Sequence, residues 1–294
     1  MEKYEHINPK FRHIVAASSD SERINFARTP RWIAHAQAKA ILQQLEDLLT
    51  FPKRPRMPNL LLVGEPNNGK TTLINKFCSI HGEPYETEDM DLVIPIVKIE
   101  APSTASEKAL YIAILEKMVA PYRDSATAEV LYTQCLHLMR TYAVKMLVID
   151  EFHSMFSGSA RKQREMMNAL KRLCNELQIP IVGVGTPSAS DILYTDSQFR
   201  SRFDIIHLEL WENNDEFREI VATFESCLPL KKPSKLSQKA LSSQIHRMTK
   251  GNLGNLSNLL SACAVEAIRN HQETITAEML ANQERYISTE RRIR

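Results

Sequence analysis

From residue 59 onward the chain alternates two kinds of hydrophobic pattern. Short, continuously apolar runs (LLLV at 60–63, VIPIVKI at 93–99, KMLVID at 145–150, IPIVGVG at 179–185 and DIIHLEL at 204–210) are separated by stretches whose apolar positions recur at helical spacing. Runs of this length without polar alternation predict strands buried on both faces, and the helices between them predict parallel connections. The expectation is an α/β fold with a mostly parallel sheet. Before the first run the pattern is helical: Trp32, Ile33, Ala36, Ala40, Ile41, Leu45, Leu48 and Leu49 fall near a 3.6-residue period, which predicts an amphipathic helix within residues 30–50 that stops at Pro52.

The segment FPKRPRMP at 51–58, with three prolines and three basic residues, reads as a connector into the first strand. Thr104 and Glu107 stand at capping-box spacing, predicting a helix that opens there and ends at Pro121. After Trp211 no strand pattern returns, and amphipathic segments near 213–227, 237–249, 253–271 and 276–288 predict a separate helical domain. The chain therefore divides into an N-terminal helical extension and linker (1–56), an α/β core (57–211), and a helical lid with its tail (212–294).

Composition narrows the function classes. At roughly 150 residues per domain, 294 residues make one large domain or two modest ones, and 43% hydrophobic with 24% charged residues is an ordinary globular balance. Lys and Arg number 37 against 35 Asp and Glu, a net charge of +2, so any nucleic-acid surface must be local. Five cysteines, far apart and never in a CxxC pair, argue against a disulfide framework and a zinc site and fit reduced thiols. The N-terminus lacks an apolar signal-peptide region and no run approaches the roughly 20 apolar residues of a membrane span. A soluble cytoplasmic protein with no membrane partner is expected.

The chemistry is concentrated in a few places. Gly64, Glu65, Pro66, Asn67, Asn68, Gly69, Lys70 and Thr71 match GxxxxGK[ST], placed after the LLLV run and before the helical TLINKFCSI, which also brings in Thr72. A glycine-bounded loop lets successive backbone N–H groups point at phosphate oxygens, and the helix N-terminus adds partial positive charge. Lys70 is expected to reach the β and γ phosphates of ATP and Thr71 to ligate Mg²⁺. The run MLVIDE ends in Asp150 and Glu151; after a P-loop, Asp150 is expected to hold Mg²⁺ and Glu151 to polarise the attacking water, the other reading being a solvated strand end.

Thr186 ends the IVGVG run, where strand ends line the crevice of an open sheet, and is a candidate γ-phosphate sensor or a turn hydroxyl before Pro187. In FRSRF, just before the last run, Arg202 and secondarily Arg200 are candidates for an arginine finger into a neighbouring subunit's ATP, or a surface arginine pair. The nine histidines show no ligand spacing; His153, just past the two acids, reads as structural or as a support for them.

The blocks PRWIAHAQAKAIL, RMPNLLLVGEPNNGKTTLINKF, VIDEFHSMFSGSARKQREMMNALKRLCNELQIPIVGVGT and DSQFRSRFDIIHLELW resemble the AAA+ ATP-binding subunits of transposons called TniB, relatives of TnsC. The resemblance covers most of the chain beyond its first 25 residues and before the tail. It implies an ATPase that assembles on double-stranded DNA as a homo-oligomeric ring or helical filament and recruits or activates a transposase, with a target-selection protein as a further partner. It also implies a bacterial cytosol, with nucleoid association when on DNA. By the same resemblance Lys70 and Thr71 take the Walker A roles, Asp150 and Glu151 the Walker B roles, Thr186 the sensor-1 place and Arg202 the finger. One departure is Asn255 in GNLGN, where such lids usually carry an arginine as sensor 2; a neutral amide lacks that charge, so slow hydrolysis is expected. In a filament the helices after the second and third strands would line the inner surface, nominating Lys108, Lys117 and Arg123, then Arg161, Lys162 and Arg164, as DNA contacts, or else a solvated charged face. Two rivals share these motifs: a helicase loader or replication initiator, and a nucleotide-gated adaptor with negligible turnover.

Overall fold

The computed structural model describes residues 4–156, 158–194 and 200–290. Along the chain come helices α1 (Arg12–Ala17), α2 (Asp20–Arg28) and α3 (Ala36–Leu49), strand β1 (Asn59–Gly64), α4 (Lys70–His81), the short strands β2 (Tyr85–Glu86) and β3 (Leu92–Val93), and β4 (Ile96–Glu100). Then follow α5 (Glu107–Lys117), α6 (Ala128–Thr141), β5 (Met146–Asp150), α7 (Ala160–Leu177), β6 (Ile181–Gly185), α8 (Ser188–Tyr194) and β7 (Phe203–Leu208). Four helices complete the described chain: α9 (Asp215–Ser226), α10 (Lys239–Thr249), α11 (Leu253–Arg269) and α12 (Ala277–Glu290).

Five strands form one sheet in the order β4-β5-β6-β1-β7, every pair parallel. β1, β5 and β6 are buried at every position, as their uninterrupted apolar runs require. β7 is an edge, and there Asp204 and His207 face outward. The run at 93–99 is split by Pro95, which has no N–H for a ladder. Before it Leu92–Val93 pairs antiparallel with Tyr85–Glu86; after it Ile96–Glu100 joins the sheet, and the Pro95 carbonyl accepts from the N–H groups of Lys145 and Met146.

The chain packs as two compact units, one of Ala36–Pro66 and Lys70–Leu208, the other of Met1–His35, Asn67–Gly69 and Glu209–Arg294. Packing groups the chain with breaks at 35/36 and 208/209 and with Asn67–Gly69 in the helical unit, beside the 56/57 and 211/212 boundaries expected from the apolar pattern. The first difference has a clear cause, since α3 buries Ala38, Ile41, Leu45 and Leu48 and belongs with the sheet unit. Residues 30–35 are not helical, so the expected helix starts six residues late. Their side chains are committed elsewhere in the helical unit: the Arg31 guanidinium lies 3.5 Å from the Phe26 ring centroid, and His35 meets Trp211 edge to face. The cap of α5 also differs from expectation, because Ser106 rather than Thr104 accepts from the Ala109 N–H.

The core of the sheet unit is an apolar cluster that includes Leu61, Val63, Val97, Leu147, Ile149 and Phe152. The helical unit has its own, including Trp211, Phe217, Ile245, Leu256, Leu260 and Ile268. Within it the Arg23 side chain of α2 is fully buried. It donates to both Glu273 carboxylate oxygens at 2.7 Å, to the Pro229 carbonyl at 2.9 Å and to Asp20 at 2.7 Å. All five cysteines are free thiols, and among the described residues no helix is long and apolar enough to cross a membrane.

Breaking a buried ion pair from one side leaves the other charge stranded, so Arg23→Met is expected to cost about 3–5 kcal/mol, read by denaturant unfolding. Burial pushes the Glu273 carboxyl up, but Arg23 and the Lys231 N–H outweigh it and hold the group below the usual carboxylate range. Its stabilisation is therefore complete above the ordinary value of 4.5 and is lost as pH falls through the lowered folded value. The wild-type helical unit should lose stability steeply in that acid window, and the Arg23→Met protein should lose markedly less there.

Candidate nucleotide site

In the order β5-β6-β1 the carboxyl ends of three adjacent strands carry Asp150, Thr186 and Gly64. The open end of a parallel sheet at this position is where α/β folds bind ligands. Gly64 ends β1 and is followed by the exposed Glu65 and Pro66. Lys70 begins α4, with Thr71 and Thr72 exposed on its first turn. The Lys70 side chain is buried and its ammonium donates to the carbonyls of Gly64 and Glu65, both at 2.8 Å. Burial lowers its pKa, while the negative charges of Glu151, Asp150 and Glu65 act the other way.

Asp150 ends β5, beside Glu100 of β4. One of its oxygens, Oδ1, accepts the Glu151 N–H at 3.0 Å. Glu151 takes a left-handed conformation, φ 52°, uncommon for a residue with a side chain and concentrated at functional sites. The Glu151 carboxylate is half exposed, 3.5 Å from His153 Nε2, and the other ring nitrogen of His153 is buried with no partner among the described residues. Thr186 shares a 2.8 Å hydrogen bond with the Ser188 hydroxyl.

Two further sets of contacts are not legible in the motif. Lys98, inside the IVKIE run of β4, places its ammonium 3.5 Å from Asp150 Oδ2 and donates to Asn75 Oδ1 of α4 at 2.5 Å. In the helical unit, Asn67 and Asn68 engage the start of α11. Asn67 donates through Nδ2 to Asn255 Oδ1 at 3.0 Å and accepts the Gly254 N–H at its carbonyl, also at 3.0 Å. Asn68, almost fully buried, accepts the Leu253 N–H at Oδ1 and donates to the Glu209 carbonyl. Gly254 is required here, because a Cβ on it would stand 2.0 Å from the Asn67 carbonyl oxygen.

Arg202 is not at this edge. It precedes β7, whose Phe203 pairs with Asn59 at the start of β1, while Gly64 is at the end of β1. Five residue steps separate Asn59 from Gly64, roughly 16 Å of strand. Arg202 donates to Asn175 of α7 at 2.9 Å, and its buried Nε has no partner among the described residues. Arg200 is exposed. The basic residues nominated for DNA are dispersed: Lys108 donates to the Asp124 carbonyl, Lys117 and Arg123 are exposed, and Arg161 pairs with Glu165 while Lys162 and Arg164 face solvent on α7.

These residues fit a nucleoside triphosphate with Mg²⁺. Gly69, at φ 88°, takes a backbone conformation that side chains rarely adopt, the helix that follows has first-turn N–H groups without an intrahelical acceptor, as every helix start does, and Lys70 supplies a buried cation. Among the described residues no group of three or more His, Cys, Asp or Glu gathers as a metal cage. Asp150 and the Thr71 hydroxyl would be the protein's donors, the small protein share usual for Mg²⁺ bound through substrate phosphates.

Residues 23–213 match the family described as bacterial TniB protein. No curated protein matches the chain. Among solved structures it resembles Cdc6p from Pyrobaculum aerophilum, with TM-score 0.60 and 17% identity over 89% of this chain and 69% of that one. It is also similar to ORC2 of Aeropyrum pernix, solved as ADPNP–ADP complexes, with TM-score 0.59 and 14% identity over 92% and 70%. ORC1 of the same organism, solved with DNA, gives TM-score 0.58 and 15% identity over 94% and 69%. The fold is that of the AAA+ ATPases.

Asn68→Ala removes a buried amide with two backbone partners and is expected to cost about 1–3 kcal/mol. Thermal unfolding of the variant beside Glu65→Ala, whose exposed side chain should tolerate the change, checks it.

Proposed function

The chain belongs to the TniB family, and from that premise we propose that it is an ATP-dependent regulator of transposition that assembles on double-stranded DNA and recruits or activates a transposase. The observation carrying the nucleotide half of this reading is the buried Lys70 ammonium, held by the Gly64 and Glu65 carbonyls after the carboxyl end of β1, with Asp150 at the same end of β5 two strands away. Lys70 binds and orients the β and γ phosphates. Asp150 and Thr71 hold the metal, which when bound neutralises charge developing on the phosphate oxygens. Glu151, its backbone fixed by Asp150, orients the attacking water and draws off its proton. Thr186 reads the γ-phosphate from the neighbouring strand.

Arg202 lies a strand's length from Gly64 of its own chain, so its contribution as a finger is to the site of another copy. ATP binding then favours assembly, and hydrolysis through Glu151 favours disassembly. The DNA half of the reading rests on family membership, with Lys108, Lys117 and Arg123 as nominated phosphate contacts. A weakly hydrolysing, nucleotide-gated form of the same protein is favoured by Asn255, whose amide oxygen is already taken by Asn67.

The test is sizing of the protein with duplex DNA in ATP, in a slowly hydrolysed analogue, in ADP and without nucleotide. Large DNA-bound assemblies are expected with ATP and the analogue alone; a monomer indifferent to DNA in all four would reject the proposal. Lys70→Ala should abolish nucleotide-dependent assembly. Arg202→Ala should keep ATP binding yet lose hydrolysis by about 10³-fold or more, checked by phosphate release. Log affinity for DNA should fall steeply with log salt.

A further inference from the structure

We propose that Lys98 is a positioning residue for the Asp150 carboxylate and sets how tightly Mg²⁺ is taken up with the nucleotide, an inference that rests on the nucleotide-site reading above. β4 runs beside β5 with Glu100 opposite Asp150, and Lys98, two residues earlier, lies on the same face of β4 as Glu100. Its ammonium stands 3.5 Å from Asp150 Oδ2, with side-chain exposures of 22% and 10% for the pair. The same ammonium is tied to Asn75 of α4 at 2.5 Å, so the helix that begins at Lys70 fixes where the charge sits.

Asp150 is therefore held from two sides, Oδ1 by the Glu151 N–H and Oδ2 by Lys98. The consequences for a dication are opposed. The ion pair keeps the carboxylate in one orientation, which favours a metal shell built on it. Yet a fixed positive charge this close repels Mg²⁺, and partial burial screens it less than bulk water would. A carboxylate already neutralised by an ammonium is a weaker metal donor than a bare one. Lys98 thereby raises the Mg²⁺ concentration at which the site fills, while nucleotide held by Lys70 and the loop depends on it little.

The experiment titrates Mg²⁺ into the full-length protein with a fluorescent ATP analogue, comparing wild type, Lys98→Met and Lys98→Arg, with parallel nucleotide titrations in EDTA. Removing the charge should lower the Mg²⁺ midpoint about tenfold, as expected for deleting one like charge next to a dication. Nucleotide affinity in EDTA should stay within about twofold, below the 1.4 kcal/mol that marks a tenfold change, and Lys98→Arg should keep the wild-type midpoint. An unchanged midpoint in Lys98→Met would overturn the inference. So would equal losses of nucleotide with and without Mg²⁺, which mark a merely structural lysine. If Lys98→Met does not fold, Lys98→Gln carries the same test. Failure of wild type to bind nucleotide at all would instead reject the site reading itself.

Discussion

A buried ammonium must be surrounded by oxygen, and the sheet unit is organised around meeting that demand for Lys70. Two loop carbonyls accept from it directly, and the carboxylates of Asp150 and Glu151 supply negative charge nearby. Desolvation works against the charged form even so, and the group stays below its ordinary range. The geometry needed for this is exacting. β1 has to end at Gly64, α4 has to begin at Lys70, and β5 has to lie two strands away with Asp150 at the same end of the sheet. The apolar strands provide the rigidity: with β1, β5 and β6 buried throughout, little in their relative register can shift without exposing a core residue.

The helical unit is held by a different kind of constraint. Its apolar cluster packs α9 to α12 and takes in Ala27 and Ile24 of α2, and to this the N-terminal helices add polar groups that have to be matched one by one. Arg23 is the extreme case, a guanidinium with no solvent exposure whose partners come from three places in the chain. Glu225 does similar work on a smaller scale, its carboxylate accepting the successive N–H groups of Ser234, Lys235 and Leu236, each at 2.7 Å. Such sites specify a single arrangement, because an unmatched charge in the same place costs several kcal/mol where a misplaced methyl costs about one.

What could be read from sequence was what is local. The three central strands of the main sheet announce themselves as apolar runs because burial on both faces removes polar alternation, and the phosphate loop is legible because its spacing is itself the geometry. The same reasoning placed the four C-terminal helices to within a few residues. It missed what is settled at a distance. The non-helical course of 30–35 goes with contacts to Phe26 and Trp211, the partner of Arg23 lies 250 residues away, and Asn67 meets Asn255 across 188 residues. Nothing in the run VIPIVKI marks Lys98; only the register of β4 on β5 puts it against Asp150. The roles of Thr186 and Arg202 are a matter for experiment, although strand direction already separates them, Thr186 following the carboxyl end of β6 beside the phosphate loop and Arg202 preceding the start of β7 at the opposite end of the sheet.

That separation bears on kinetics. If Arg202 is the finger proposed above, it sits a strand's length from the phosphate loop of its own sheet, so no isolated chain would hold a finished catalytic unit and the reaction order in protein would exceed one. Dilution then slows turnover per chain even with substrate in excess. Two defective chains, one lacking the lysine and the other the arginine, can also restore activity when mixed, since every junction with the intact lysine on one side and the intact arginine on the other is whole.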